Sequence, residues 1–225
     1  MKILKRNITF TASKSSGEVN GILHLPPDAK YLYVFAHGAG AGMNHSFMEK
    51  VSALFYEEGI GTLRFNFPYV EKGKKSPDPA PILIQTIRSA VEAAKKYSGD
   101  IKLFAGGKSM GGRMTSMADA KEPLGVNGII FFGFPLHAPG KPSNERAEHL
   151  YSVSAPMLFL QGTRDKLADL KLLNPVIKKL KDKAEIHIVD EADHSFHLPK
   201  SLGRTDEEVQ KELVIKVKEW MVKNS

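Results

Sequence analysis

The stretch Leu103-Phe-Ala-Gly-Gly-Lys-Ser-Met-Gly-Gly-Arg113 holds two overlapping motifs that imply different chemistry. Gly107-Lys108-Ser109 is the tail of a phosphate-binding loop. The same residues continued to Gly111 make Gly-x-Ser-x-Gly, a strand-to-helix turn that presents a serine. A phosphate-binding loop needs a further glycine five residues before Gly107, where the backbone must curl so that its N–H groups face the phosphates. That position is Lys102, inside an apolar run. Nor does an apolar strand end in an aspartate suited to hold magnesium. The nucleotide reading therefore fails where its mechanism is most demanding.

The serine turn has what its geometry requires. An apolar strand, Ile101 to Ala105, leads into it and a helix starting near Met110 leads out. A serine at such a turn is held in an unfavourable backbone conformation, and its flanks must be small enough for strand and helix to approach closely. Gly107 and Gly111 meet that need.

Working outward, two alternating segments open the chain: Ile8 and Phe10, then Val19, Gly21, Leu23 and Leu25, ending at Pro26-Pro27. They read as an antiparallel edge hairpin. Short, solidly apolar runs follow from Tyr31, Ile60, Ile101, Val126, Pro156 and Ala184. Runs apolar on both faces are what parallel strands need, because crossover helices cover each side of the sheet. Amphipathic segments lie between them: Phe47 to Glu58, Pro81 to Tyr97, Met110 to Ala120, Ala168 to Lys181 and Asp206 to Lys223. In the last, Thr205 and Glu208 have capping-box spacing, and Val209, Leu213, Val217 and Trp220 share a face that its own core can use up. The pattern predicts a three-layer α/β/α sandwich, with a mostly parallel doubly wound sheet and an antiparallel amino-terminal edge. With no internal repeat or domain-scale linker, residues 1–225 are expected to form one domain.

Composition narrows the class. At 42% hydrophobic and 25% charged residues, with no run of about eighteen apolar residues, the chain reads as globular, with no membrane span. The stretch from Met1 to Ser16 is basic but broken by polar residues, unlike a secretory signal, so a cytoplasmic location is expected. The absence of cysteine excludes disulfides, thiolate metal sites and a cysteine nucleophile. The formal charge of +7 is scattered over helix faces such as Lys178 to Lys183, without interleaved aromatics, so no nucleic-acid partner is expected. Glu71 to Ser76 is the one compact basic loop. Ser76 to Pro81 and Ala138 to Pro142 read as Pro-rich surface loops.

A serine turn in an open α/β sheet calls for three further features at the carboxyl ends of other strands, where ligands bind in such folds. The first is an oxyanion hole, from the N–H after the serine and one in the loop after an earlier strand. His37-Gly38-Ala39-Gly40 is that loop. Met110 and Ala39 are the expected donors, with Gly40 the second choice in the loop, and Asn44 is suited to cap the next helix. The second is an acid. Asp165 follows the buried run Met157 to Gly162 and precedes the histidine, giving the order Ser, Asp, His. It could also be an ordinary loop carboxylate paired with Arg164 or Lys166, and Asp169, just inside the predicted helix, is the fallback. The third is a base. His194 follows the last strand and precedes the closing helix, which favours it over His24, His137 and His187, while His197 is the serious competitor.

These segments, with Phe132-Gly-Phe-Pro-Leu-His-Ala-Pro-Gly-Lys-Pro142, resemble the α/β-hydrolase superfamily. They are most similar to a small dienelactone-hydrolase-like branch whose larger eukaryotic relatives include testis-expressed hydrolase-like proteins and a subunit of the non-specific-lethal chromatin complex. The resemblance spans Tyr31 to Trp220. It implies the α/β-hydrolase fold, with Ser109 as nucleophile, Asp165 as acid and His194 as base. Dienelactone hydrolases typically use a cysteine nucleophile, so that particular activity does not follow. The implied activity is a serine hydrolase acting on a small-molecule carboxylic ester or thioester.

Neither metal nor organic cofactor is called for, since His194 and His197 have no third ligand at suitable spacing. His37, Gly38, Gly40 and Lys108 are assigned to substrate contact. In this superfamily a lid usually enters after the strand following the elbow helix, but Leu136 to Ala155 is too short for a separate cap, so an open cleft is expected. Lys72, Lys74 and Lys75 follow a strand end and could draw an anionic substrate, or simply form a solvated loop. Two rival functions are a catalytically silent interaction module, as the chromatin-complex relatives suggest, and acyl transfer using the same three residues.

Overall fold

The computed structural model describes residues 4–225; Met1–Ile3, which begin the basic amino-terminal stretch, lie outside the described residues. Strands β1 (Leu4–Ser13) and β2 (Gly17–Leu25) form the expected hairpin, with Phe10 opposite Val19 and Ile8 opposite Gly21. The βα series follows: β3 (Tyr31–Ala36), α1 (Ser46–Glu57), β4 (Ile60–Phe65), α2 (Pro68–Glu71), α3 (Ala80–Ser98), β5 (Lys102–Lys108), α4 (Met110–Lys121), β6 (Gly128–Phe132), β7 (Met157–Gly162), α5 (Leu170–Leu180), β8 (Ala184–Val189) and α6 (Asp206–Lys223). The sheet has eight strands in the order β1-β2-β4-β3-β5-β6-β7-β8. β1 and β2, and β2 and β4, are antiparallel, and every later pairing is parallel.

The strands are apolar on both sides because both sides are covered. Leu32, Val34 and Ala36 join the cluster formed with Leu83, Ile87 and Met114 of α3 and α4, while Tyr33 and Phe35 turn to Phe55, Leu213 and Trp220 of α1 and α6. Ile129, Phe131 and Phe159 extend the first layer against Leu173 and Val176 of α5. Each of the larger aliphatic and phenylalanine side chains stabilises the fold by roughly 1.5–3 kcal/mol through removal from water. Aromatic edges add direction, as where Phe132 meets Phe47 and Phe55 at 5.8 and 6.2 Å.

Helix bounds follow the expected ones to within two residues, and the predicted capping box on α6 is present. Three details differ. His45, not Asn44, caps α1, its Nδ1 accepting the Phe47 N–H, so the α1 cap stands one residue closer to the helix. Asp169 caps α5 by accepting the Lys171 N–H, outside the helix rather than within it. The helix α2 and a 3-10 segment, Glu145–Ser152, were not expected, both being too short to show a period. The 3-10 segment buries Ala147 and Leu150 beside Phe134, and among the described residues Leu136 to Ala155 forms no cap over the sheet edge. Paired registers align Ala36, Gly107, Phe131, Phe159 and Ile186 in one row near the carboxyl ends of their parallel strands, so the loops after β3, β5, β6, β7 and β8 leave the same edge of the sheet.

Candidate active site

Ser109 stands between β5 and α4 at φ 50°, ψ −116°, a region that disfavours a side chain by about 1–3 kcal/mol. The surroundings over-determine it. Its N–H donates to the Phe132 carbonyl at 3.1 Å, and its carbonyl accepts the Arg113 N–H at 3.1 Å as α4 begins. A Cβ on either Gly107 or Gly111 would run into the Ala36 carbonyl at the end of β3. The two glycines thus let three backbone segments meet beneath the serine.

His194 reaches Ser109 from the β8–α6 loop. Its Nε2 lies 2.8 Å from Ser109 Oγ and its Nδ1 2.7 Å from Asp165 Oδ2. Asp165 can only accept, so Nδ1 carries the proton and Nε2 is left as the acceptor toward the serine hydroxyl. Asp165 is 6% exposed and fully bonded: Oδ2 also accepts from Gln161 Nε2 at 2.5 Å, and Oδ1 accepts the Leu167 N–H at 2.7 Å. Arg164 pairs with Glu191 at 3.8 Å instead of with Asp165. The other histidines weighed are engaged elsewhere. His197 pairs with Asp206, His187 with Glu212, His137 accepts the Asp169 N–H, and His24 stacks on Tyr56. Asp169 is tied to His137, and of the residues weighed Ser109, His194 and Asp165 form a connected row.

The loop after β3 is held from beneath by residues following β4. His37 is 0% exposed; its Nδ1 donates to the Gly38 carbonyl at 2.8 Å and its Nε2 accepts the Phe67 N–H at 3.3 Å. Burial lowers its pKa to about 4, so it is neutral, as that pair of bonds requires. This corrects the assignment of His37 to substrate contact: the ring is sealed behind the loop it supports. Gly40, also assigned to substrate contact, is exposed but stands outside the lining of the cleft over Ser109, and its N–H donates to Tyr69 Oη at 3.2 Å. Of the two loop N–H groups weighed, that of Gly40 is thus engaged. Among the described residues no partner is found for the Ala39 N–H, and the Met110 N–H stands at the first position of α4, where a helix leaves its N–H groups open.

A cleft of about 600 Å³ opens over Ser109 and His194, its lining a mixture of Gly38 and Ala39, the apolar Phe47, Met48 and Leu167, and polar groups such as Lys50 and Asp206. Lys108 also lines it, with its Nζ directed to the His194 carbonyl at 2.5 Å. Lys72, Lys74 and Lys75 are exposed and stand outside this lining, while Glu71, from the same basic stretch, closes α2 and ties Asn20 to Asn66. Sequence reasoning missed Gln161, Tyr69 and Gly133. Gln161 is a polar residue in the otherwise apolar run Met157 to Gly162, which is a legible signal; the other two carry none without the fold.

Residues 29–222 match the family described as "Alpha/beta hydrolase domain". Among solved structures, the chain is similar to a dienelactone hydrolase from Anabaena variabilis, at 19% identity and TM-score 0.71, covering 94% of this chain and 97% of that one. It is similar to a Xanthomonas campestris protein described as an α/β serine hydrolase without lid, at 19% identity and TM-score 0.74, covering 98% and 96%. It also resembles Est1E from Butyrivibrio proteoclasticus with ferulic acid bound, at 18% identity and TM-score 0.69, covering 88% and 95%.

Proposed function

The chain belongs to the alpha/beta hydrolase domain family, and on that premise we propose that it is a serine hydrolase cleaving carboxylic ester or thioester bonds through an acyl-enzyme. The observation that carries the reading is the continuous hydrogen-bonded row from Ser109 Oγ through His194 to Asp165, ending on a serine with strained backbone.

His194 Nε2 takes the hydroxyl proton as Ser109 Oγ attacks the acyl carbon, and Asp165 holds the tautomer and stabilises the imidazolium. The negative charge that develops on the acyl oxygen is stabilised by the Ala39 and Met110 N–H groups. One such donor contributes on the order of 10²–10³ in kcat. Collapse breaks the bond to the leaving group, which receives the proton from His194. Water, deprotonated by the same imidazole, then attacks the acyl-enzyme and releases the acid with Ser109 restored.

The cleft over Ser109 offers apolar contact from Phe47, Met48 and Leu167, and Leu136 to Ala155 stands outside its lining, so the leaving group can be large. The similarity to a serine hydrolase described as lacking a lid supports the serine-hydrolase reading.

Labelling with a fluorophosphonate, read by mass spectrometry, tests the proposal. Modification of Ser109 in the wild type, lost in Ser109→Ala and weakened in His194→Ala, is the expected result. A folded wild type that neither labels nor hydrolyses p-nitrophenyl esters or acyl thioesters would overturn it and favour an interaction module.

A further inference from the structure

We infer that Lys108 is a positioning residue for the reaction proposed above: its ammonium clamps the main-chain carbonyl of His194 and thereby sets the reach of the imidazole to Ser109. The inference rests on the serine-hydrolase reading of the site.

Three contacts define the clamp. Lys108 Nζ donates to His194 O at 2.5 Å, across 86 positions of sequence. The ammonium sits 5.8 Å from the Phe47 ring centre and 5.5 Å from that of Phe196, which lies in the same loop as His194. Gly133, just after β6, has φ 73°, and a Cβ there would fall 3.2 Å from Lys108 Nζ and 3.2 Å from His194 Cε1. Lysine and imidazole therefore share the space that this glycine leaves open.

The chemistry is unusual for a structural lysine. Lys108 takes part in no ion pair among the described residues; its acceptor is a neutral carbonyl, and its other near neighbours are aromatic faces. Burial draws the ammonium down to about 8, against the charges of Asp165 and Asp193 that hold it up. An apolar side chain of the same length would fill the space without that desolvation. What the ammonium adds is a directional bond to the backbone of the residue that must be aimed. Because Lys108 and Ser109 are consecutive, one turn fixes both the nucleophile and the anchor of its base. Misplacing such a pair by about 1 Å can cost on the order of 10²-fold in rate.

Lys108→Met and Lys108→Ala in the full chain test this. The readouts are kcat and KM for p-nitrophenyl acetate, the rate of fluorophosphonate labelling, and the low-field proton resonance of His194 Nδ1–H. The expected result is a fall in kcat on the order of 10²-fold with KM unchanged. Labelling slows in parallel, the resonance broadens or is lost, and propylamine partly restores kcat in Lys108→Ala. Unchanged kcat in either variant would refute the clamp. So would a raised KM with kcat intact, which would make Lys108 a substrate contact, or a lowered kcat that no alkylamine restores, which would make it packing alone. Should the wild type neither label nor hydrolyse esters, the hydrolase reading fails separately. The resonance then decides the clamp: its loss in Lys108→Met supports it, and its persistence overturns it.

Discussion

The turn that carries Ser109 and the loop that carries His194 meet at 2.8 Å but are held in different ways. Around Ser109 the backbone does the work: glycines at 107 and 111 let β3, β5 and α4 touch, and the serine accepts a strained φ. Around His194, side chains do it: Lys108 holds its carbonyl, Asp165 its ring, and Asp193 Oδ1 the N–H groups of Ser195 and His197. The first arrangement is local and rigid by exclusion. The second is assembled from distant residues and can be adjusted one bond at a time.

The sharpest way to separate the two is to remove the group they share. Ser109→Ala should lower kcat by about 10⁵–10⁶ while the thermal midpoint stays within a few degrees, because alanine keeps both the backbone and its strain. Activity that survives in a purified mutant would put the chemistry elsewhere.

On the backbone-built side, acid should act through His37, which anchors the loop packed against the elbow. Its pKa is lowered from 6.5 to about 4 by burial, so the stability it contributes is present above pH 6.5 and is lost as pH falls through 4. Over that window the loss is about 3 kcal/mol by linkage. Urea unfolding at stepped pH should show it, with a shallower dependence in His37→Asn; identical slopes would exclude His37 as the titrating group. Gly111→Ala should cost a comparable ~3 kcal/mol in the same assay, since the added Cβ meets main-chain carbonyls that cannot retreat. A stable Gly111→Ala would break the claim that exclusion builds this side.

The side-chain-built half should respond by degrees. Gln161→Leu removes one of the three hydrogen bonds on Asp165 and the acceptor of the buried Phe134 N–H; about a tenfold fall in kcat is expected from the first, with little change in KM, and some loss of stability from the second. Steady-state kinetics checks it, and an effect as large as that of Ser109→Ala would show this half to be as brittle as the other. Smallest of all, Lys72, Lys74 and Lys75 changed together to Gln should lower kcat/KM for anionic esters by no more than about threefold at low ionic strength and not at all in 0.5 M salt. A larger effect that resists salt would place these lysines at the substrate.

The same division explains what could be read in advance. Alternating and continuous apolar runs mark strands by how many faces they bury, and the glycine spacing around Ser109 reports a steric need within nine residues, Leu103 to Gly111. From these the sheet, the elbow and the order Ser, Asp, His follow. His37 misled because its neighbours are glycines typical of an exposed loop, while the ring that buries it, Phe67, comes thirty residues later. Asn44 misled because two cap-competent residues stand side by side, and the turn geometry chose His45.

By itself, the sequence determined a sheet covered on both faces and a serine at a forced turn, because sterics and periodicity act between near neighbours. The tertiary structure alone decided between His194 and His197, engaged the Gly40 N–H, and set Lys108 on a carbonyl rather than a carboxylate. Those outcomes depend on hydrogen bonds between residues far apart in the chain, whose partners become definite only when the sheet brings the strand ends into one row.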